Sequence, residues 1–285
     1  MQRTLSSSWL LLRQSWDVLR ADTQLLVFPI LSTIATLVVL ASFALPAALL
    51  MPWDRLGAET ARGLTHSPWW YVGLFAFYFV NFFIVTFFNS ALVACASNRF
   101  EGKDSSVGAG LRAAVARLPQ ILMWTVVAST VGMLLRAVQE RVGLLGSIVV
   151  RLVGMAWAIA TYFVVPVLVL EGLGPVEAIK RSVAILRKNW GESLALNLGL
   201  GLIGFLLVIV ALLPLVIGGA TSALTSTWAA AIIGGVLTAL LLTLLGLITS
   251  TLKVIVQTAL YRFAATGDAP RGFDRALLEQ AIRRK

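Results

Sequence analysis

The groups able to support acid–base, nucleophilic or metal chemistry are few. The 285 residues include one histidine, one cysteine and 13 carboxylates. A hydrolytic or transfer site needs an activated nucleophile or a metal, with a base in hydrogen-bond reach. His66 has no neighbouring ligand set, whereas a mononuclear metal site draws on several His, Cys or carboxylate groups. Cys95 has no second cysteine, which excludes an intrachain disulfide framework. Asp17 with Asp22, and Glu101 with Asp104, are the close acidic pairs within the basic segments, and both lie beside Lys or Arg, as ordinary ion pairs do. The expectation is a non-enzymatic protein with no catalytic residues, no cofactor and no metal. Gly199-Leu200-Gly201-Leu202-Ile203-Gly204 spells the glycine pattern of dinucleotide sites, but that reading needs a preceding strand and a soluble βαβ unit. The run lies inside an apolar stretch, where small residues serve close helix packing instead.

Other polar residues are placed where they must be accommodated. Tyr71, Tyr78, Asn81 and Asn89 fall within about 80° of one another at ~100° per residue. Arg151 and Tyr162 share a face further along. Polar groups are costly in hydrocarbon, so these six form a candidate polar bundle face. Interhelical hydrogen bonds would satisfy it, or it would line a path for a transported small molecule or lipid. Arg151 can snorkel to water or pair with Tyr or Asn of the second apolar stretch. Glu171, just past Pro166, is expected in water or paired with the basic segment after it.

The elements carrying these residues are transmembrane. Hydrophobic residues make up 59% of the chain, against about 45–50% in soluble domains. A bilayer core of roughly 30 Å needs about 20 apolar residues as helix. Stretches near 25–51, 69–95, 119–135, 147–170, 194–217 and 229–252 meet that length, the third being the shortest. Of 23 Lys and Arg, 18 fall in 1–24, 96–118, 171–193 and 253–285; Arg55, Arg62, Arg136, Arg141 and Arg151 fall between. Basic residues translocate poorly, so both termini are expected in the cytoplasm and the protein in the cell membrane. The first apolar run starts near Leu25 and is too long for a cleavable signal. The net charge of +10 is read as a topology signal with an attraction to anionic headgroups, not as a nucleic-acid surface.

The basic segments have internal order. Leu5, Trp9, Leu12, Trp16 and Leu19 recur at helical spacing, as do Val176, Ile179, Val183, Leu186 and Trp190. Val107, Leu111, Val115 and Leu118 form a weaker stripe opposite Arg112 and Arg117. Glu177 and Arg181 stand at i,i+4. Lys180, Arg181, Arg187 and Lys188 form a candidate face for lipids or partners. The segments ending at Arg20, Arg117 and Arg187 share local sequence, and each precedes two apolar stretches. This implies an all-α bundle of six transmembrane helices with a threefold repeat of cytoplasmic amphipathic helix, span and span. Its units would be about 1–95, 104–170 and 174–263, in a membrane domain of 1–264. Trp53, Trp69 and Trp70 flank the outer loop as an aromatic belt. The sixth helix should continue to about Phe263 and break at Gly267–Pro270, before a cytoplasmic tail (265–285) holding a short helix.

Several stretches carry a likeness: Ser15–Asp22 leading to Phe28-Pro29; Gly110–Ala114; and Tyr162–Pro166 through Glu171–Pro175 and Ala178–Ser182 to Asn189-Trp190-Gly191. They resemble an uncharacterised prokaryotic family of six-span integral membrane proteins, and more distantly the membrane domain fused to some glycerophosphodiester phosphodiesterases. The resemblance implies the six-span fold and carries no established activity. The functional expectation is a protein that binds or organises lipids, partner membrane proteins or a second copy of itself at its cytoplasmic face; the rival is a transporter or channel with its path between spans two and four.

The charge split gives a direct test of orientation. In a Cys95→Ser background, cysteines at His66 and Thr225 are expected to react with an impermeant thiol reagent from outside, and one at Asp268 is not. Reversed labelling contradicts the topology.

Overall fold

Hydrocarbon offers no partner to a backbone N–H or C=O, so a chain this apolar crosses a bilayer only as helix or as a closed barrel. The computed structural model describes residues 2–50, 68–103, 105–188, 204–225 and 227–282, and among them there are helices and turns but no strand. The elements are α1 (Gln2–Ala21), a 3-10 turn (Thr23–Leu26), α2 (Val27–Leu50), α3 (Pro68–Phe100), α4 (Val107–Ala116), α5 (Leu118–Gln139), α6 (Leu144–Ala160), α7 (Val164–Leu170), α8 (Pro175–Lys188), α9 (Leu213–Thr225), α10 (Ala229–Thr266) and α11 (Arg275–Ile282).

Among the described residues, six helical segments are long and apolar enough to cross a membrane: Thr23–Pro46, Tyr71–Phe100, Leu118–Gln139, Gly146–Leu170, Gly204–Thr225 and Ala229–Thr266. Their apolar side chains are largely exposed; Val38, Val216 and Leu240 are 63%, 64% and 62% accessible. Apolar surface on this scale needs a hydrocarbon solvent.

The fourth span is broken at Thr161–Phe163, between α6 and α7. Pro166 is the cause: it lacks the N–H that would bond to the Tyr162 carbonyl one turn back, and its ring crowds that carbonyl. Buried Ser182 of α8 takes up a donor at the break, its Oγ accepting from the Phe163 N–H at 3.1 Å.

The fifth span ends later than the sequence reading placed it. The apolar stretch expected to end near 217 is helical as far as Thr225. Gly218 and the hydroxyls from there to Thr225 have partners within the protein. Thr221 Oγ1 donates to the Ile217 carbonyl at 2.9 Å and Thr225 Oγ1 to the Thr221 carbonyl at 2.8 Å, so neither needs water. Gly218 and Gly234 face each other across α9 and α10, and a Cβ on either would meet the opposing backbone. Small-residue contacts of this kind let helices approach closely in lipid. The third span is also longer than expected, running on to Gln139.

Past Lys253 α10 keeps going, as the sequence suggests, and ends at Gly267. Gly267 is left-handed (φ 81°), and its N–H bonds the Phe263 carbonyl at 2.9 Å. Only glycine takes that conformation without penalty.

The chain divides into two compact units: Met1–Leu26, Ala96–Asp104 and Ile185–Lys285 in one, Val27–Cys95 and Ser105–Ala184 in the other. In the first, α1 packs on α10 and α11, and the segment after α10 is seated, with Leu278 fully buried and Phe273 nearly so. The three arginines proposed as equivalent do not share an environment. Arg20 lies over the Trp16 ring at 5.2 Å, Arg117 donates to the Val169 carbonyl, and Arg187 is exposed.

Replacing Gly218 or Gly234 by Leu is expected to cost about 1–3 kcal/mol, the usual penalty of overpacking a tight contact. A lower midpoint in detergent unfolding checks this, and an unchanged midpoint contradicts the contact.

Candidate functional site

The candidate polar bundle face does not converge on one point. Tyr78 accepts a short hydrogen bond from Arg136 Nη1, and the Arg136 guanidinium also lies 5.8 Å from the tyrosine ring centre. Arg136 Nε reaches Glu140 at 3.1 Å. The arginine that meets the second span's tyrosine is therefore Arg136 of α5, not Arg151, which is exposed on α6. Asn81 turns back on its own helix, Nδ2 donating to the Phe77 carbonyl at 2.8 Å. Tyr71 is half exposed, Asn89 is half-buried, and Tyr162 packs edge-on against Phe163 at 4.7 Å.

The stretch from Tyr162 to Ser182 does converge. Glu171 accepts from Arg181 Nε at 3.0 Å, so Arg181 pairs with the carboxylate before α8 and not with Glu177 on its own helix. Arg117 Nε reaches the Val169 carbonyl at 3.3 Å. Its guanidinium lies over Gly172, whose φ is 71° and where a Cβ would come within 2.6 Å of Nη1. Together with the Ser182 bond to Phe163, these contacts fix the broken fourth span to the start of α8.

A second convergence lies in the other unit. Arg262 of α10 donates to Ser97 Oγ at 2.8 Å and to Glu101 Oε1 at 2.5 Å, and Lys103 reaches the other Glu101 oxygen at 2.5 Å. The hydrogen bond from Lys103, then that from Arg262, hold the Glu101 carboxyl below its ordinary value, against the opposing effect of burial. Phe100 meets Phe273 edge-on at 5.6 Å, and the Arg271 N–H bonds the Phe100 carbonyl.

The three amphipathic helices each seat one face and leave some large residues of the expected stripe exposed, while Leu19 and Leu186 of those stripes are buried. On α1 the buried residues are Leu11, Ser15, Val18 and Leu19, while Trp9 is 58% exposed. On α4 they are Gly110 and Ala114, while Val115 is 56% exposed; on α8, Ala178, Ser182, Ile185 and Leu186, while Val176 is 56% exposed. Small residues let each helix seat closely. A Cβ on Gly110 would lie 2.8 Å from the Ala91 carbonyl oxygen and 2.6 Å from Cys95 Sγ. Trp9, Val115 and Val176 are left outward on the same helices as exposed cations. Of the candidate lipid or partner face, Lys180, Arg181 and Arg187 are exposed on α8. The Lys188 side chain, Trp190, Asp104, His66, Trp53 and Gly199–Ile203 lie outside the described residues.

No group of three His, Cys, Asp or Glu that could hold a metal occurs among the described residues. The fold and its surface define a multi-pass, all-helical membrane protein. Residues 69–272, well over half of the chain, match the model of a family of unknown function, DUF6159, and the chain belongs to that family. The match takes in the Tyr162–Ser182 stretch and the whole of α10 and leaves α1 outside it. No curated protein and no solved structure matches the chain.

Replacing Glu101 by Gln is expected to lower stability by a margin with a defined pH dependence. A carboxylate with a lowered folded value contributes fully above its ordinary value of 4.5 and loses that contribution as pH falls through the lowered one. The gap between wild type and Glu101→Gln in thermal unfolding should therefore be constant near neutrality and close under acid conditions. A gap that widens on acidification contradicts the assignment. Arg262→Met should cost up to about 1 kcal/mol, since the pair it breaks is partly exposed and Lys103 still faces the Glu101 carboxylate.

Proposed function

We propose that this chain is a non-enzymatic protein of the cell membrane, both termini cytoplasmic, that binds or organises lipids or partner membrane proteins through its basic amphipathic helices. The observation that carries the reading is the outward stripe of large apolar residues on α1, α4 and α8, set beside cations. Trp9, Val115 and Val176 are each more than half exposed. Lys180 and Arg187 have no acidic partner among the described residues. A helix with an apolar face and a Lys/Arg-rich polar face lies in the plane of a membrane surface, and its affinity rises with anionic lipid. The charge split along the sequence supports placing these helices on the cytoplasmic side. The likeness of the Tyr162–Ser182 stretch to the membrane domain of glycerophosphodiester phosphodiesterases is in keeping with a lipid partner.

The transport reading asks for free polar groups between spans two and four. Asn81 is bonded within its own helix, Tyr78 is held by Arg136, and Arg151 is exposed, so lipid or partner binding accounts for more of these residues.

Full-length protein with Lys180, Arg187 and Lys188 changed to Gln, sparing the Arg181–Glu171 pair, should bind anionic vesicles more weakly by about 1 kcal/mol per charge removed. Unchanged partition between anionic and zwitterionic vesicles contradicts the reading.

A further inference from the structure

Within the unit that contains α1 and α10, a groove of about 540 Å³ runs between these two helices and the helical residues 204–211. Its α10 wall is Leu245, Ile248, Thr249, Leu252 and Lys253, which is one face of the helix, recurring at i, i+3, i+4, i+7 and i+8. Thr249 Oγ1 is bonded to the Leu245 carbonyl at 2.7 Å, so that wall is apolar up to its last residue. Trp9, Leu12 and Trp16 of α1 supply the opposite wall, and Leu207 the third. Two lining residues are charged, Arg13 and Lys253, and both are positive. Both are exposed, and neither has an acidic partner among the described residues. Asp17, a turn along from Arg13, lines a separate hollow with Arg99 and Arg271.

The groove is therefore graded. Its α10 wall is apolar from Leu245 to Leu252, about 12 Å along the helix axis at 1.5 Å per residue including the step to Lys253, the cation that ends it. The graded end is also where the sixth apolar stretch of the sequence stops. A molecule that fits has an acyl chain lying along the span and a negative headgroup at the membrane boundary. The volume falls within the range of about 300–1,000 Å³ typical of ligand sites.

We propose that this groove holds one anionic glycerophospholipid, its acyl chain between the Trp9–Leu12 face of α1 and the Leu245–Leu252 face of α10, and its phosphate on Arg13 and Lys253. The proposal rests on the reading of the chain as a lipid binder and names the lipid class and the seat. Gly204 leaves the groove open, since a Cβ there meets nothing within 4 Å.

The test uses full-length protein purified from phosphatidylcholine vesicles doped with phosphatidylglycerol, with retained lipid counted by native mass spectrometry. Wild type is expected to keep phosphatidylglycerol in preference to phosphatidylcholine. Arg13→Gln and Lys253→Gln should each weaken retention about fivefold, the equivalent of one surface cation at a membrane. Gly204→Trp should block retention with both cations in place. Gly204→Leu, a smaller filling, serves as the second variant should the tryptophan prevent folding. Inorganic phosphate should not displace the lipid. Retention unchanged in the groove variants overturns the proposal. If Lys180→Gln with Arg187→Gln abolishes retention while the groove variants do not, the lipid sits on α8 and the groove assignment alone falls. No preference for phosphatidylglycerol in wild type overturns both the groove and the broader reading. Displacement by phosphate alone identifies a free-anion site and overturns the lipid assignment.

Discussion

A backbone donor inside a bilayer has no water to turn to, and the structure is organised by that constraint. Where the chain can stay helical, it does. Where Pro166 forbids it, the fourth span opens at Thr161–Phe163 and the protein must supply partners. Ser182 supplies one from the following helix. Leaving such a group unmet in hydrocarbon costs several kcal/mol. The position of α8 is in this sense an answer to a proline 16 residues earlier in the chain. The Glu171–Arg181 pair and the Arg117 bond to Val169 tighten the same junction. The stretch that carries the sequence resemblance is thus a structural junction.

The second organising fact is that lipid is as apolar as leucine, so burying a large side chain against protein gains little over leaving it in hydrocarbon. Close contact through small residues decides which faces meet. Gly218 against Gly234 and Gly110 against Ala91 are examples, and Ala178 and Ser182 on α8 follow the same rule. Large residues such as Trp9, Val115 and Val176 are left to the surroundings. For α1, α4 and α8 this produces helices with two adjacent apolar faces, one seated and one outward, beside their cations.

This is also why the sequence was legible in some places and not in others. Length and hydropathy located the spans, since both depend only on bilayer thickness. The continuation of α10 past Lys253 and its stop at Gly267 were legible because a helix and its glycine cap are local events. The orientation of α1 was not. Periodicity picks out Trp9, Leu12 and Trp16 as an apolar stripe but cannot say whether protein or lipid covers it. The seated face, Leu11, Ser15, Val18 and Leu19, is also apolar apart from Ser15, so periodicity alone does not choose between the two. The fifth span was ended near 217, short of Thr225, because the packing of Gly218 on Gly234 of the next helix leaves no local trace. Among the polar residues, Arg136 looked like an outer-loop charge, and its contact with Tyr78, 58 residues away, leaves no local trace. The joining of Arg262 to Glu101, across 161 residues, is equally silent in the sequence.

The central claim is that the large-residue faces of the amphipathic helices lie in the membrane surface. Spin labels on cysteines placed at Trp9, Val115 and Val176 in a Cys95→Ser background, with the protein in bilayers, report it through relaxation by oxygen, which concentrates in hydrocarbon, and by a water-soluble nickel chelate. The account predicts that oxygen dominates at all three positions, at a depth near the headgroups. Dominance of the nickel chelate would contradict it, since the stripes would then face water.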